Sequence, residues 1–222
     1  MRKLVLSIPE VNLLNMVESQ LNSHFPDQQQ INRKILKLCF ENAILRVRKC
    51  FDPIILKYYE QGNESYFNHL HGDHFACFLY FFSNEAYLVG DEILASKLFL
   101  LNKALFGIDA FYAVKMPEHF LLVHPLGTIL GNANYEDFLV VYQGVTIGST
   151  TAGIYPVFSK STILYSNSSI IGNCHIGTNV VLGANASLVN SNIPANKVVV
   201  GNYPNHSILD NKNNLISSYF KL

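Results

Sequence analysis

Residues 158–188 decide the fold, and they read FSKSTILYSNSSIIGNCHIGTNVVLGANASL. An apolar residue recurs at every sixth position: Phe158, Leu164, Ile170, Ile176, Leu182 and Leu188. Four positions after each of the first five comes a small or β-branched residue: Thr162, Ser168, Cys174, Val180 and Ala186. A six-residue period suits neither a helix nor a plain strand, whereas it suits a solenoid whose short sides each turn one apolar residue inwards. We therefore predict a β-solenoid here.

The six-residue step extends upstream through Ile147, Val141 and Tyr135. Counting back by sixes from Ile147 reaches Val123, whereas counting forward by sixes from His124 reaches Leu130. One residue is therefore missing from the repeat within residues 132–136, which predicts an irregular turn. A β-sandwich with Gly and Asn in its turns is the alternative, but it leaves five consecutive six-residue steps unexplained.

The first half of the chain carries helical signals instead, namely apolar residues three and four positions apart, capping residues before them and glycines after them. The signals predict about five helices: one beginning at Pro9, one over 28–50, one from Asp52-Pro53 to Gly62, one from Asp73 through Phe81, and one from Asp91 to Gly107. The composition changes near residue 107. We therefore predict a helical domain over 1–107, a β-helix domain over 108–209 and a tail over 210–222.

Composition narrows the function classes. The 222 residues are 49% hydrophobic, and sixteen Lys and Arg balance sixteen Asp and Glu. A neutral chain argues against nucleic acid and against a membrane surface as partners. No signal peptide or membrane span is expected from the sequence. The four cysteines lie far apart without CxxC spacing, which indicates a reducing, cytoplasmic setting rather than disulfides or a thiolate metal site.

Three strings carry a family resemblance. They are HPLGTI at 124–129, YQGVTIG at 142–148, and IP at 193–194 followed by VVGNYP at 199–204. With the repeat, these strings resemble the hexapeptide-repeat acyltransferases, and most of all the serine acetyltransferases, in which a helical domain precedes the β-helix. The resemblance implies an α+β chain with an N-terminal all-helical domain and a C-terminal left-handed parallel β-helix. It also implies acetyl-CoA as the acyl donor and a trimer, or a hexamer made of two trimers.

The same resemblance implies a catalytic pair. The first string carries the family's general-base histidine at His124, and the aspartate that pairs with it, fifteen positions earlier, is Asp109. Moving an acetyl group from a thioester to a hydroxyl requires removal of the hydroxyl proton as the new bond forms, which is work that imidazole suits near neutral pH. A carboxylate on the other ring nitrogen would fix the tautomer. The expected mechanism is direct attack by the acceptor hydroxyl, without a covalent enzyme intermediate or a metal.

Counting along the repeat maps the family's coenzyme A positions onto Gly148, Ser149, Ser166 and Ala184. Small side chains suit close approach of a pantetheine arm. Tight corners of the solenoid also require small residues, so both interpretations remain open at each of these positions.

The acceptor divides the hypotheses. Serine acetyltransferases carry an aspartate before the catalytic histidine and a second histidine in the substrate loop, and here these positions hold Val123 and Tyr155. Asp73 and His74 lie in the region from which the family contributes an acidic residue towards the acceptor. L-serine is the acceptor that the family implies, and a sugar or glycan precursor is the alternative. A catalytically inactive β-helix that binds a partner remains a third hypothesis.

Two further features need an interpretation. The string HLHGDH at 69–74 has the HxHxDH spacing of zinc-dependent hydrolases, but it begins an apolar helix and lacks the fold of those enzymes.

The chain reaches Phe220-Lys221-Leu222, and serine acetyltransferase tails dock into cysteine synthase. Those tails usually end in isoleucine, so the cysteine synthase partnership stays open.

Overall fold

The computed structural model describes residues 1–222, and the chain divides into two compact units. The first unit comprises residues 1–107 and 111–113, and the second comprises residues 108–110 and 114–222. The predicted tail, 210–222, therefore belongs to the second unit. No helix in the chain is long and apolar enough to cross a membrane.

The first unit is mainly helical. Its helices are α1 (Glu10–His24), α2 (Arg33–Phe51), α3 (Gly72–Leu88) and α4 (Glu92–Phe106). Its strands are β1 (Leu4–Leu6), β2 (Glu60–Gln61) and β3 (Glu64–Phe67), which form one sheet in the order β1-β3-β2. Helix α3 is buried along most of its length because apolar and aromatic side chains cover all of its faces.

Helix α4 confirms the caps read from the sequence. The Asp91 side chain accepts a hydrogen bond from the backbone N–H of Leu94 at 3.0 Å. Gly107 ends the helix in the left-handed region at φ 63°, where glycine carries no steric penalty.

The predicted helix from Asp52-Pro53 to Gly62 is wrong. Asp52 ends α2 instead of starting a helix, and its carboxylate accepts the backbone N–H of Arg2. The segment then forms a short 3-10 helix at Lys57–Tyr59 and the β2–β3 hairpin, in which Gly62 takes φ 63°. The Asp52 carboxylate binds the N-terminal segment instead of capping a helix. The unit therefore has four α-helices and not five.

The second unit is a parallel β-helix of three sheets. Its strands are β4 (Asp109–Ala110), β5 (Phe120–Val123), β6 (Ile129–Leu130), β7 (Asn134–Tyr135), β8 (Leu139–Tyr142), β9 (Thr146–Gly148), β10 (Val157–Phe158), β11 (Thr162–Leu164), β12 (Ser169–Ile171), β13 (His175–Ile176), β14 (Val181–Leu182), β15 (Ser187–Val189), β16 (Lys197–Val200) and β17 (Ser207–Asp210). The sheets run β13-β10-β7, β17-β16-β14-β11-β8-β5 and β15-β12-β9-β6-β4. Only β17 is antiparallel to its neighbour.

The repeat positions form the core of the β-helix as predicted. The six residues of the quoted stretch and the five small residues four positions after them are almost fully buried. Residues eighteen apart stack where the coils are regular, as Phe158 does on Ile176 and Ile170 on Leu188. Corners take the left-handed conformation at asparagine, the residue besides glycine that best tolerates it, as at Asn179 (φ 57°) and Asn185 (φ 61°).

Two irregularities shift the register of the coils. Leu130 and Tyr135 are both buried and only five residues apart, which confirms the missing residue predicted within 132–136. The loop at 149–156 lengthens the next coil, so Thr146 stacks on Ser169, twenty-three positions later. Counting by eighteen therefore fails across this loop.

Candidate active site

His124 lies at an enlarged corner of the β-helix. Val123 pairs with Tyr142 and Ile129 pairs with Thr146, so five residues turn this corner where three turn the corner of the next coil. The two additional residues let His124 stand out from the coil, and its side chain is exposed. His124 takes φ 50°, and its carbonyl oxygen accepts the N–H of Leu126 at 2.7 Å. The tight turn fixes where the imidazole leaves the backbone.

The next coil supports this corner from one side. The N–H of Gly144 donates to the carbonyl oxygen of Leu126 at 3.0 Å. The buried Thr128 donates its hydroxyl to the carbonyl oxygen of Tyr142 at 3.2 Å. Gly127 turns the corner at φ 73°, which favours glycine. The backbone around His124 is therefore held by residues of both coils.

Asp109 lies on the other side of the same corner. Strand β4 pairs with β6, and the N–H of Asp109 donates to the carbonyl oxygen of Thr128 at 2.8 Å. Its side chain is partly buried. The backbone of the predicted partner thus runs directly beside the turn that carries His124, one coil earlier.

The corner begins an edge that runs along the coils. Backbone hydrogen bonds at 2.9–3.0 Å link its successive turns, from Gly144 to Leu126, from Asn167 to Gln143, and from Asn185 to Ser166. Its side chains, in coil order, are Leu126, Gln143, Ser166 and Ala184. We call this the His124 edge. It contains two of the predicted coenzyme A residues, Ser166 and Ala184.

The other two predicted coenzyme A residues lie elsewhere. Gly148 pairs with Ile171 at the far end of β9, and Ser149 follows it, so both belong to the next edge of the β-helix. Counting back eighteen residues from Ser166 gives Gly148. The 149–156 loop adds five residues to this coil, so Gln143 lies on the His124 edge instead. Gln143 was not among the predicted site residues, and its side-chain oxygen is buried without a hydrogen-bond partner.

Tyr155 shares the second edge with Gly148. A Cβ at Gly131 would lie 2.8 Å from the Tyr155 ring, so the ring packs directly against this glycine. The N–H of Gly131 donates to the carbonyl oxygen of Ile147 at 2.9 Å, one residue before Gly148. Within one chain, strand β6 separates Tyr155 from the His124 corner. A single copy of the chain therefore distributes the predicted site residues over two edges.

His74, a predicted substrate residue, is fully buried in the helical unit. Its Nδ1 accepts the N–H of Asn68 at 3.1 Å, and its ring lies 4.1 Å from the Tyr59 ring and 4.2 Å from the His71 ring, centroid to centroid. Burial, and secondarily His71, lower its pKa to about 3. The ring is neutral and belongs to the aromatic core of the helical unit. Asp73 lies in the first turn of α3 with 8% of its surface exposed.

The HxHxDH string does not form a metal centre. His69 faces Ser7, with Nδ1 2.7 Å from Oγ, while His71 stacks on the buried His74. No group of three or more His, Cys, Asp or Glu residues in the chain is arranged to hold a metal ion. The spacing reflects the start of α3 and its aromatic packing.

The tail folds back onto the β-helix. Residues 215–218 form a 3-10 turn, and Ile216 and Phe220 are almost fully buried. The Phe220 ring meets the Phe138 ring edge to face, with centroids 5.4 Å apart. The hydroxyls of Tyr219 and Tyr142 are 2.8 Å apart. Nothing in the local sequence pattern predicted these contacts, because the partners are about eighty residues apart.

Sequence comparisons identify relatives of one kind. The chain is 32% identical over 162 residues to serine acetyltransferase 2 of Arabidopsis thaliana, covering 71% of this chain and 48% of that protein. It is 29% identical over 105 residues to the serine acetyltransferase of Synechococcus elongatus, covering 46% of this chain and 43% of that protein. The chain thus spans about half the length of the curated relatives it matches. No family model matches it.

Solved structures agree with these relatives. The serine acetyltransferase of Neisseria gonorrhoeae in complex with serine superposes with a TM-score of 0.62 at 25% identity, covering 76% of this chain and 71% of that one. The serine acetyltransferase of Brucella abortus in complex with coenzyme A gives a TM-score of 0.69 at 18% identity, covering 92% and 83%, which supports the fold alone.

The fold is therefore that of the hexapeptide-repeat acyltransferases, with an N-terminal helical region followed by a left-handed β-helix, as the sequence predicted. Within this class the chain is serine acetyltransferase-like, which confirms the resemblance stated from the strings at 124–129 and 142–148.

Proposed function

We propose that the protein is an acetyl-CoA-dependent O-acetyltransferase that acts on L-serine. The observation that carries the proposal is the enlarged corner, which exposes His124 at the start of an edge that includes the small Ser166 and Ala184, with Asp109 on the adjoining coil. The named relatives are serine acetyltransferases, and the Neisseria gonorrhoeae structure holds serine. The sugar acceptor and the inactive scaffold, both open from the sequence, are not favoured by these relatives.

In the proposed reaction an imidazole nitrogen of His124 accepts the proton of the serine hydroxyl. The hydroxyl oxygen then forms a bond to the thioester carbonyl carbon, and the carbon–sulfur bond breaks. The thiolate of coenzyme A leaves and takes up the proton from the imidazolium. Asp109 is proposed to orient the ring and to stabilise the imidazolium, while backbone N–H groups stabilise the oxyanion. Each bond made is matched by one broken, so the step needs no further reactant.

The His124 edge fits the acyl donor. Ser166 is partly exposed and Ala184 is exposed, and their small side chains leave the edge open to a long, narrow ligand. We propose that the pantetheine arm of acetyl-CoA lies along this edge, with its thioester at His124.

The remaining predicted residues require a second copy of the chain. Gly148, Ser149 and Tyr155 lie on the next edge, which the fold of one chain does not bring to the His124 edge. We propose a homotrimer in which one copy's His124 edge faces the second edge of its neighbour. Light scattering tests this directly, because a monomer at assay concentration would leave the site incomplete and contradict the proposal. Pairing of trimers into hexamers would appear as twice that mass.

Partner and compartment follow from the tail and the cysteines. Phe220 is buried, so docking of the tail into cysteine synthase would first require its release from Phe138. We propose that the tail packs on the β-helix and does not bind cysteine synthase. Recovery of cysteine synthase in a pull-down with the full chain would contradict this proposal. None of the four cysteines is in a disulfide, and we propose a reducing, cytoplasmic setting. Tyr155 remains the proposed acceptor contact within the β-helix, whereas Asp73 and His74 belong to the helical unit.

The test is thiol release from acetyl-CoA by the purified protein with L-serine and with a panel of sugars. His124→Ala should lower the rate with serine by about 10²–10⁴-fold, the usual worth of a general base. His175→Ala is the matched control, because His175 is an exposed histidine on another face of the same β-helix. Asp109→Asn should lower the rate less than His124→Ala. Equal rates for the wild type and His124→Ala, or release with a sugar and not with serine, would overturn the proposal.

A further inference from the structure

The chain's own C-terminal segment packs beside strand β8 of the β-helix, where the Phe220 ring contacts Phe138 and the Tyr219 hydroxyl contacts that of Tyr142. Residues that precede an inward-facing residue on β8, β11 and β14 point outwards, yet they are almost fully buried: Val140, Ile163 and Val181. The buried side chains of the segment that returns over the sheet are Ile216 and Phe220. We call residues 215–220 the strap.

Tyr219 is the residue of the strap whose side chain reaches a cluster of tyrosine hydroxyls on the β-helix. Its hydroxyl lies 2.8 Å from that of Tyr142, and the Tyr165 hydroxyl also faces it. The rings of Tyr142 and Tyr165 lie side by side, with centroids 5.1 Å apart. Burial and these two hydroxyls raise the pKa of Tyr219 above its usual value, so the Tyr219 hydroxyl keeps its proton. A buried hydroxyl without a partner is costly, so this contact holds the strap in a defined position.

Tyr142 connects this cluster to the His124 corner. Tyr142 ends β8 and pairs with Val123, the residue before His124. Its carbonyl oxygen accepts the hydroxyl of Thr128, at the other end of the same corner. A displacement of Tyr142 would therefore reach both ends of the turn that carries the imidazole.

We propose that Tyr219 is a positioning residue for the His124 corner, acting through the hydroxyl of Tyr142. This inference rests on the proposed acetyl transfer, in which His124 is the base. The strap thus couples the C-terminal residues to the rate of the reaction without contacting the substrates. A misplaced general base loses rate even where substrates still bind, so the effect should fall on kcat rather than on the KM for acetyl-CoA.

The test compares Tyr219→Phe, Tyr142→Phe and the double variant, which keep the rings and remove the hydroxyls. Each single variant should lower kcat about threefold to tenfold, the scale of one hydrogen bond, with the KM for acetyl-CoA unchanged. The double variant should match Tyr219→Phe, because the Tyr142 hydroxyl has already lost its contact with Tyr219 in that single variant. Tyr203→Phe is the control, since Tyr203 is a half-exposed tyrosine of the same unit, and it should leave kcat unchanged.

A second readout is independent of activity. Amide hydrogen exchange in peptides covering 122–130 should quicken in Tyr219→Phe relative to the wild type and to Tyr203→Phe. A wild type that transfers acetyl groups, with Tyr219→Phe showing full kcat and only a lower melting temperature, would overturn the positioning role and leave the proposed function standing. A wild type without transferase activity would overturn the proposed function. Unchanged hydrogen exchange over 122–130 in Tyr219→Phe would overturn the coupling between the strap and the His124 corner, whether or not the wild type is active.

Discussion

Burial of the His74 ring makes the stability of the protein depend on pH. The ring is fully buried among aromatic side chains, and its pKa falls from 6.5 to about 3. The folded protein therefore keeps His74 neutral in mild acid, whereas the unfolded chain binds a proton there below about pH 6.5. The stability that His74 contributes is present above pH 6.5 and is lost as the pH falls from there towards 3.

The size of the effect follows from the displaced pKa. At pH 5 the His74 side chain of the unfolded chain lies about 1.5 pH units below its pKa of 6.5. Its protonation therefore stabilises the unfolded chain by about 2 kcal/mol relative to pH 7. We therefore expect the free energy of unfolding to fall by about 2 kcal/mol more in the wild type than in His74→Phe between these two pH values. The variant also leaves the N–H of Asn68 without its acceptor, but that loss is the same at both pH values.

Urea unfolding followed by far-ultraviolet circular dichroism measures both free energies, because the helices of the first unit dominate that signal. His24→Gln is the matched control, since His24 is an exposed histidine at the end of α1 and should keep the wild-type pH dependence. If the wild type and His74→Phe lose the same stability between pH 7 and pH 5, the argument that burial keeps His74 neutral is refuted.

Three further substitutions test the packing. Phe220→Ala should lower the free energy of unfolding by about 3 kcal/mol, because it empties the buried site of the strap, whereas Leu222→Ala, which changes an exposed side chain, should have little effect in the same urea experiment. Gly131→Ala should lower the melting temperature, because its Cβ would lie 2.6 Å from the carbonyl oxygen of Ile147; an unchanged melting temperature would contradict that close approach. Asp91→Ala should lower the free energy of unfolding by about 1 kcal/mol through loss of the α4 cap, and no loss would show that the cap is replaced.

The β-helix was predictable because each of its sides buries an apolar residue at the same position of the repeat. A side of six residues leaves a period in the sequence that no helix or flat sheet shares, and Phe158 to Leu188 carry it without interruption. The missing residue near Asn132 was visible for the same reason. Helix α4 was predictable because its caps are local, with Asp91 at one end and Gly107 at the other.

Corners and loops were less predictable because their length changes the register without leaving a period. The two additional residues at the His124 corner and the loop at 149–156 shift which residues share an edge. Counting by eighteen consequently placed Gly148 where the structure has Gln143. Pairing partners across the coil, rather than sequence spacing, decides the edge.

Long-range contacts left no signal in the sequence. Asp52 resembles a helix cap, but Arg2 occupies its carboxylate, and the chain turns into a hairpin. His74 resembles a ligand in a histidine-rich string, but its burial depends on rings supplied by three other segments. The Tyr142–Tyr219 contact joins two residues with no local pattern in common.

The central claim is that this chain acetylates serine with His124 as the base. The most direct measurement is a single reaction with acetyl-CoA, L-serine and an equal concentration of a simple sugar, analysed by mass spectrometry for the acetylated product. We expect O-acetylserine from the wild type, at least about a hundredfold less in the same time from His124→Ala, and wild-type amounts from His175→Ala. Acetylated sugar as the main product, or O-acetylserine formed equally by His124→Ala, would contradict it.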